Sequence, residues 1–375
     1  MNVAYVSNVV YPYVTGGAEK RIHEIGTRLV DRGHDVTVYG RQYWDGPVET
    51  TNEGLQLHGV APRRELYVGG RRSIREAIDF ARAVWRPLRK NVGEHDLIVA
   101  SVFPYFPVFS AWAARLGRGT PLVTTWHECW LGYWREYLGA TGFAGMAVER
   151  LVAQLTQYPV AVSSLTADRL TAIGPSRGRI SVIPNGVDVE SIRSVEPVES
   201  GFDILFLGRL VESKRIDLLL RAVEQLGTDV RLGIVGEGPE SESLETLASE
   251  LGLSRSVSFL GPVEEHAEVI GYMRASAVFV SPSTREGFGI ATLEAMAAGC
   301  SIVAVDHPRS AASEVVGDAG FVVEPSPTEL ADGIQRALGG AGPARDPSAH
   351  VQQYDWSKVA DQAEEAYRRA VEGEW

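Results

Sequence analysis

"AVFVSPSTREGFGIATLEAMAAG" occupies residues 277–299. It opens on a β-branched apolar run and breaks at Pro282. It then turns through Gly287-Phe288-Gly289 and closes as an apolar helical stretch stopped by Gly299. Strand, glycine turn and helix in that order make one βα unit. The backbone N–H groups of Gly287, Phe288 and Gly289 then stand at a helix N-terminus, where unpaired donors and the helix dipole suit an anion. Two carboxylates flank the turn, Glu286 before the helix and Glu294 about one turn into it. Such a pair can serve as a hydrolytic acid and base, a metal cage or a polar grip on a ligand. It can also be a helix cap with one surface carboxylate.

The same unit recurs on both sides of this stretch. Upstream, "FDILFLG" (202–208), "VRLGIVG" (230–236) and "VSFLG" (257–261) read as buried parallel strands; "SIVAV" (301–305) and "FVV" (321–323) follow it. An earlier series comprises 2–7, 35–40, 97–101, 122–126 and 160–164, with helical patterns at Ala18–Asp31, Ile74–Leu88 and Ala147–Leu155. Alternating βα units predict parallel sheets covered on both faces. The polar stretch around "IPNGVDVESIRSVEPVESG" separates the two series. The expected plan is an α/β protein of two doubly wound domains facing across a cleft. Its parts are residues 1–184, a linker at 185–200, residues 201–355, and a final helix at 356–375 returning to the first domain. Ligands of open α/β sheets bind beyond the carboxyl ends of the strands.

Bulk properties narrow the function. The chain has 375 residues, 45% hydrophobic and 22% charged, consistent with two soluble globular domains. A net charge of −12 argues against a general nucleic-acid binder. Cys129 and Cys300, far apart, make neither a disulfide framework nor a four-ligand zinc set. "MNVAYVSNVV" lacks a charged region ahead of an apolar core, and the longest uncharged run, 97–114, contains Pro104 and Pro107. A cytoplasmic protein is therefore expected.

Familiar cofactor motifs are missing. No G-x-G-x-x-G follows the first strand, and there is no G-x-x-x-x-G-K-[ST]. "HECWL" (127–131) ends in Leu131 where a zinc-protease helix needs a second histidine. The remaining candidates are phosphate-friendly strand ends. Gly16 and Gly17 precede a helix beginning Ala18-Glu19, and "GRLVESK" (208–214) sets Arg209 and Lys214 after a strand. A guanidinium fork and an ammonium at one strand end suit a diphosphate. "GEGPE" (236–240) adds another glycine turn.

In order along the chain, Gly16-Gly17-Ala18-Glu19, His127, "IPNGVD" (183–188), "GRLVESK", "GEGPE", "FLG" (259–261) and "SPSTREGFGIATLEAMAAG" (281–299) resemble glycosyltransferase family 4, retaining enzymes of the GT-B fold. The resemblance implies a nucleotide-diphosphate-sugar donor held mainly by the C-terminal domain. On the matching positions, Arg209 and Lys214 would hold the diphosphate with help from Gly16, Gly17 and the Gly287–Phe288–Gly289 backbone. Glu294 would take the ribose hydroxyls and Glu286 those of the donor sugar. His127 would approach the donor sugar, and Glu265, in "VEEHAE" (263–268), would meet the base, with GDP and UDP both open. It implies no cofactor and no metal, in keeping with the lack of a D-x-D motif. A GT-B nucleotide-sugar epimerase and a noncatalytic nucleotide-sugar-binding protein are the rival classes.

Acceptor recognition would fall to the N-terminal domain, and two stretches there stand out. "TWHECWLGYWREYLG" (125–139) gathers Trp126, Trp130, Tyr133, Trp134 and Tyr137, which suit sugar stacking or an aromatic-packed hairpin. In "RRSIREAIDFARAVWRPLRK" (71–90), Ile74, Ile78, Ala81, Trp85 and Leu88 form an apolar stripe beside Arg75, Arg82, Arg86, Arg89 and Lys90. A basic amphipathic helix suits an anionic membrane surface, hence a peripheral protein with a lipid-linked or glycan acceptor.

Overall fold

The computed structural model describes residues 1–68, 71–227 and 229–375. The chain divides into two compact units, Met1–Asn185 together with Trp356–Trp375, and Gly186–Asp355.

The first unit is built on eight strands: β1 (Asn2–Val6), β2 (Asp35–Gln42), β3 (Glu49–Asn52), β4 (Leu55–Pro62), β7 (Leu97–Ser101), β8 (Leu122–Trp126), β9 (Tyr158–Ala161) and β10 (Ser181–Val182). Apart from these, β5 (Tyr67–Val68) pairs antiparallel with β6 (Arg71–Arg72). The main sheet runs β10-β9-β8-β7-β1-β2-β4-β3, parallel except where β3 pairs antiparallel with β4. Its central strands are buried almost from end to end, so apolar runs, not alternation, mark them in sequence. The last expected strand of this half lies earlier than predicted: β9 starts at Tyr158, and Ser163 already caps the next helix by accepting from the Thr166 N–H.

Among the described residues, the α-helices of this unit before the crossing are α1 (Gly17–Asp31), α2 (Ile74–Asn91), α3 (Phe106–Arg115), α4 (Tyr133–Leu138), α5 (Gly142–Leu155) and α6 (Ser164–Thr171). One core joins Phe80, Val84 and Leu88 of α2 to Val108 and Ala111 of α3 and Val152 of α5 against the sheet. The other core joins Ile25 and Leu29 of α1 to Trp356, Val359, Ala363 and Tyr367 of the C-terminal helix.

The second unit holds β11 (Ile204–Leu207), β12 (Leu232–Val235), β13 (Val257–Gly261), β14 (Val278–Ser281), β15 (Ser301–Val305) and β16 (Phe321–Val323), ordered β13-β12-β11-β14-β15-β16 and all parallel. The order reverses between β11 and β14, the topological switch point where loops splay apart to admit ligands. Its helices are α7 (Val189–Ser194), α8 (Ile216–Leu226), α9 (Ser241–Glu250), α10 (His266–Arg274), α11 (Ile290–Ala298), α12 (Ala312–Val316), α13 (Pro327–Leu338) and α14 (Pro347–Val351). Part of the expected linker is structured here. Asp188 caps α7 by accepting from the Ser191 N–H at 2.9 Å, and α7 packs on α10 and α11. Val187 pairs with Asp355, placing the outgoing and returning chain side by side.

The final helix, α15 (Trp356–Glu372), packs along α1 in the first unit. Arg32 donates to Glu364 at 2.9 Å, and His34 Nε2 lies 3.0 Å from the same carboxylate. Trp356, 1% exposed, opens the helix as a buried anchor. Trp356→Ala should cost about 3–5 kcal/mol through lost burial and the cavity left behind. Thermal denaturation should show the drop, and limited proteolysis should release the C-terminal helix first.

Candidate active site

The switch point of the second unit gathers three of its loops by backbone contact. Gly236, after β12, has φ +127°, and a Cβ there would lie 2.1 Å from the Gly208 carbonyl oxygen. At Gly238 a Cβ would come within 2.2 Å of the Leu210 oxygen. "GEGPE" is therefore a close-approach motif, since only glycine lets the β12 loop lie on the β11 loop. The Leu210 N–H donates to the Glu237 oxygen at 2.9 Å, and the Glu240 N–H donates to the Leu210 oxygen at 3.0 Å.

On this support the β11 loop displays Arg209, exposed, and then a single 3-10 turn, Glu212–Lys214. Arg215 follows in the left-handed region at φ +51°, held by two hydrogen bonds to Asp217. The β14 loop joins from the other side: the Thr284 N–H donates to the Ser213 oxygen at 3.0 Å. That contact brings Lys214 and Glu286 into an ion pair in which each side chain keeps 22% exposure. Glu286 is further tied by its backbone, donating to the Arg309 oxygen at 3.2 Å and accepting from the Ala311 N–H at 2.8 Å.

Gly289 caps α11 in the left-handed region at φ +94°, so the turn 287–289 stands at the helix N-terminus as expected. Glu294 is buried one turn in, 6% exposed, and His266 Nε2 lies 3.4 Å from its Oε1. His266 is a site neighbour that sequence reasoning missed, although it directly follows Glu265. Glu265 itself is the exposed residue preceding α10. Phe288 is 5% exposed and meets Tyr354 edge-on, which makes it a packing residue.

In the first unit Gly16 is extended at φ −176° and precedes α1, which begins at Gly17. Its carbonyl accepts from the Lys20 N–H at 3.1 Å. Burial raises the Glu19 carboxyl above its ordinary pKa, with Arg72 pulling the other way. His127 follows β8, and its Nε2 lies 3.1 Å from Ser101 Oγ. Burial, and then the Arg21 guanidinium, lower its pKa to about 3. Arg21, 4% exposed, also grips the crossing segment through the Ile183 and Pro184 oxygens and Asn185 Oδ1.

The aromatic stretch packs on itself. Trp130 has ring centroids 4.9 Å from Phe103, 4.6 Å from Trp134, 5.1 Å from Tyr133 and 5.0 Å from Tyr137, while Trp126 is fully buried. On α2 the buried stripe is Ala77, Phe80, Ala81, Val84 and Leu88, one step round from the expected one. Ile74 is instead 53% exposed and Trp85 42% exposed, because the sheet takes the Phe80 side of the helix. Among the described residues no group of three or more His, Cys, Asp or Glu is placed to hold a metal ion. Among the described residues no helix is long and apolar enough to cross a membrane.

The two doubly wound units are those of a GT-B glycosyltransferase, and comparison with known proteins sharpens the class. The model described as Glycosyl transferases group 1 matches residues 188–352, and that described as Glycosyltransferase Family 4 matches residues 15–191. A phosphatidyl-myo-inositol mannosyltransferase of Mycolicibacterium smegmatis is 30% identical over 384 residues, covering 96% of this chain and 92% of the relative. A Mycobacterium tuberculosis glycogen synthase is 25% identical over 410 residues, covering 100% and 96%. The fold matches sucrose-phosphate synthase from Thermosynechococcus elongatus with a TM-score of 0.78 at 19% identity over 99% of each chain. It also matches an Anabaena protein solved with UDP and glucose, with a TM-score of 0.72 at 21% identity over 98% of this chain and 99% of that one. The chain belongs to glycosyltransferase family 4.

A lowered imidazole pKa means that the fold favours neutral His127. The unfolded chain then binds the extra proton between pH 6.5 and about 3, so this group's contribution is full above pH 6.5 and is lost as pH falls through that window. His127→Asn should flatten the decline of Tm over that range relative to the wild type. Parallel decline in both proteins would contradict a histidine held neutral by the fold.

Proposed function

We propose that the protein is a retaining, metal-independent hexosyltransferase that takes its sugar from a nucleotide-diphosphate sugar and passes it to a hydroxyl acceptor. The observation that carries this reading is the Lys214–Glu286 ion pair at the switch point, beside the Gly289-capped N-terminus of α11. Without donor, each charge neutralises the other. An arriving diphosphate offers Lys214 a more highly charged partner and frees Glu286 to accept from sugar hydroxyls. Arg209 would add a guanidinium fork to the same anion, and the 287–289 backbone would add N–H donors. Glu294, oriented by His266, would receive the ribose hydroxyls, and Glu265 would meet the base.

The chemistry is electrostatic. As the anomeric carbon–oxygen bond lengthens, negative charge accumulates on the leaving diphosphate, where preorganised cations and helix N–H groups stabilise it. Same-face transfer requires the acceptor hydroxyl to approach on the leaving group's side, with its proton passing to the departing phosphate. His127 stays neutral over the physiological range, so in this reading it offers a hydrogen bond and no positive charge. Gly16 and Gly17, at the start of α1, would offer backbone N–H groups suited to phosphate. Lys214→Ala should lower kcat about 10²–10³-fold with little loss of Tm. Thermal shift with UDP-, GDP- and ADP-sugars, followed by turnover assays, checks both donor and variant. Near-wild-type transfer by Lys214→Ala would overturn the assignment.

On the acceptor side, the reading is a lipid-linked or glycan hydroxyl reached from an anionic membrane surface. The Mycolicibacterium relative is named for transfer to a phosphatidylinositol. Here α2 supports the reading through its charge layout. Its acidic residues Glu76 and Asp79 turn inward to Arg41, with Glu76 Oε1 at 2.6 Å and Asp79 Oδ2 at 2.9 Å. The outer face keeps Arg75, Arg82, Arg86 and Lys90 exposed beside Ile74 and Trp85. A groove between α2 and α3 of about 690 Å³ adds Ile78, Phe106 and Phe109. Each basic residue at an anionic surface contributes about 1 kcal/mol, so the double variant Arg82→Glu/Arg86→Glu should weaken vesicle binding about tenfold or more. Flotation with anionic liposomes measures this, and no flotation of the wild type at low salt would refute the membrane contact.

A further inference from the structure

Outside the residues already assigned, the first unit carries a buried carboxylate that accepts from two consecutive backbone N–H groups of one loop. Glu149, on α5, is 1% exposed. Its Oε1 accepts from the Trp130 N–H at 2.7 Å and from the Tyr105 hydroxyl at 2.8 Å. Its Oε2 accepts from the Leu131 N–H at 2.8 Å. Burial, and next the neighbouring Glu149, hold the Tyr105 phenol well above its usual pKa, so it stays a donor. Leu131 sits in the left-handed region at φ +47°, a conformation disfavoured for a γ-branched side chain unless the surroundings enforce it.

A buried carboxylate is costly to desolvate, and a tertiary contact that only joined α5 to the sheet could be made by apolar side chains. Here the charge satisfies two consecutive backbone donors in the β8–α4 loop, one of them on the strained residue. That loop begins at His127. Cys129, between the two, is fixed from another side by its Sγ contact to the Thr166 oxygen at 3.8 Å. The result is a short span, 127–131, held at β8 by the sheet and at 130–131 by Glu149, with His127 at its start and Trp130 locked among Phe103, Trp134 and Tyr137. We infer that Glu149 is a positioning residue of the transfer reaction, fixing the β8–α4 loop so that His127 keeps its place against Ser101. The inference rests on the role proposed above for His127, but its first readouts do not depend on turnover.

Glu149→Gln keeps the shape and presents an amide N–H where one backbone N–H now donates. Hydrogen exchange at the amides of Trp130 and Leu131 should accelerate about tenfold or more, while exchange in the second unit is unchanged. Because the loop then opens His127 to water, its imidazole, followed by NMR and assigned with His127→Asn, should titrate nearer 6.5 than in the wild type. Tyr105→Phe, which removes one donor of three, should move both readouts the same way by less. With the nucleotide sugar that the wild type turns over, kcat should fall while the donor KM stays within about twofold, since the charged donor contacts proposed above, Arg209, Lys214, Glu286 and Glu294, lie in the other unit. Unchanged exchange at 130–131, or an unchanged His127 titration, overturns the inference. If both move but kcat does not, Glu149 only stabilises the loop and the positioning role is refuted. If no nucleotide sugar is turned over by the wild type, it is the proposed function that fails, and the exchange and titration still decide whether Glu149 places His127.

Discussion

A parallel strand buried on both faces has no side chain left for chemistry. Every central strand of both sheets meets this constraint, from Val3–Val6 in the first unit to Val278–Ser281 in the second. Each candidate site group named here is therefore exported to the segment just beyond a strand's carboxyl end. Arg209 and Lys214 follow β11, Glu286 follows β14 and His127 follows β8. What differs between loops is how each is held, because a strand end alone does not fix a loop. In the second unit the holding is done by main chain on main chain, through glycines that let the β11 and β12 loops touch. In the first it is done by buried charge: Arg21 on the crossing segment and Glu149 on the loop after β8.

These two ways of holding a loop have different electrostatic results. Glycine contacts add no charge, so the Lys214–Glu286 pair is set by the two loops that carry it and not by a buried charge beneath them. Buried charges act more permanently. Arg21 lies close enough to His127 to help keep that ring neutral, while its own hydrogen bonds are spent on Ile183, Pro184 and Asn185. The same guanidinium thus adds to the effect of burial on a candidate site residue and fixes the chain where it leaves its unit.

Much of this plan was legible in the sequence. The strands were readable because double burial forces continuous apolar runs, and the turn at 287–289 because glycine and an apolar helix followed one at once. The β3–β4 hairpin was not, since Glu49–Asn52 is polar and half exposed and carries no apolar period. The α2 stripe was displaced because Ile74 and Trp85 are as apolar as the residues that pack; only the sheet's position decides that Phe80 and Val84 face inward. Lys214 and Glu286 were each singled out, but their pairing across 72 positions is a product of the strand order β11-β14. Arg21 and Glu149 were invisible for a general reason: a charge on a helix reads as solvated surface until its tertiary partners are known.

The return of the chain to its first unit has a consequence for how the protein is made. The apolar face that α1 presents through Ile25 and Leu29 is completed by Trp356, Val359, Ala363 and Tyr367, which are synthesised only after residues 186–355. The Gly186–Asp355 unit is contiguous in sequence and has all its strands in hand before those residues leave the ribosome. Biosynthetic order is thus inverted relative to position: the second unit can close while the first still exposes an apolar half-sheet. That exposed face is what a holdase would recognise on the nascent chain. Any message cut short between codons 355 and 356 would yield a protein whose second unit is whole and whose first unit is permanently unfinished.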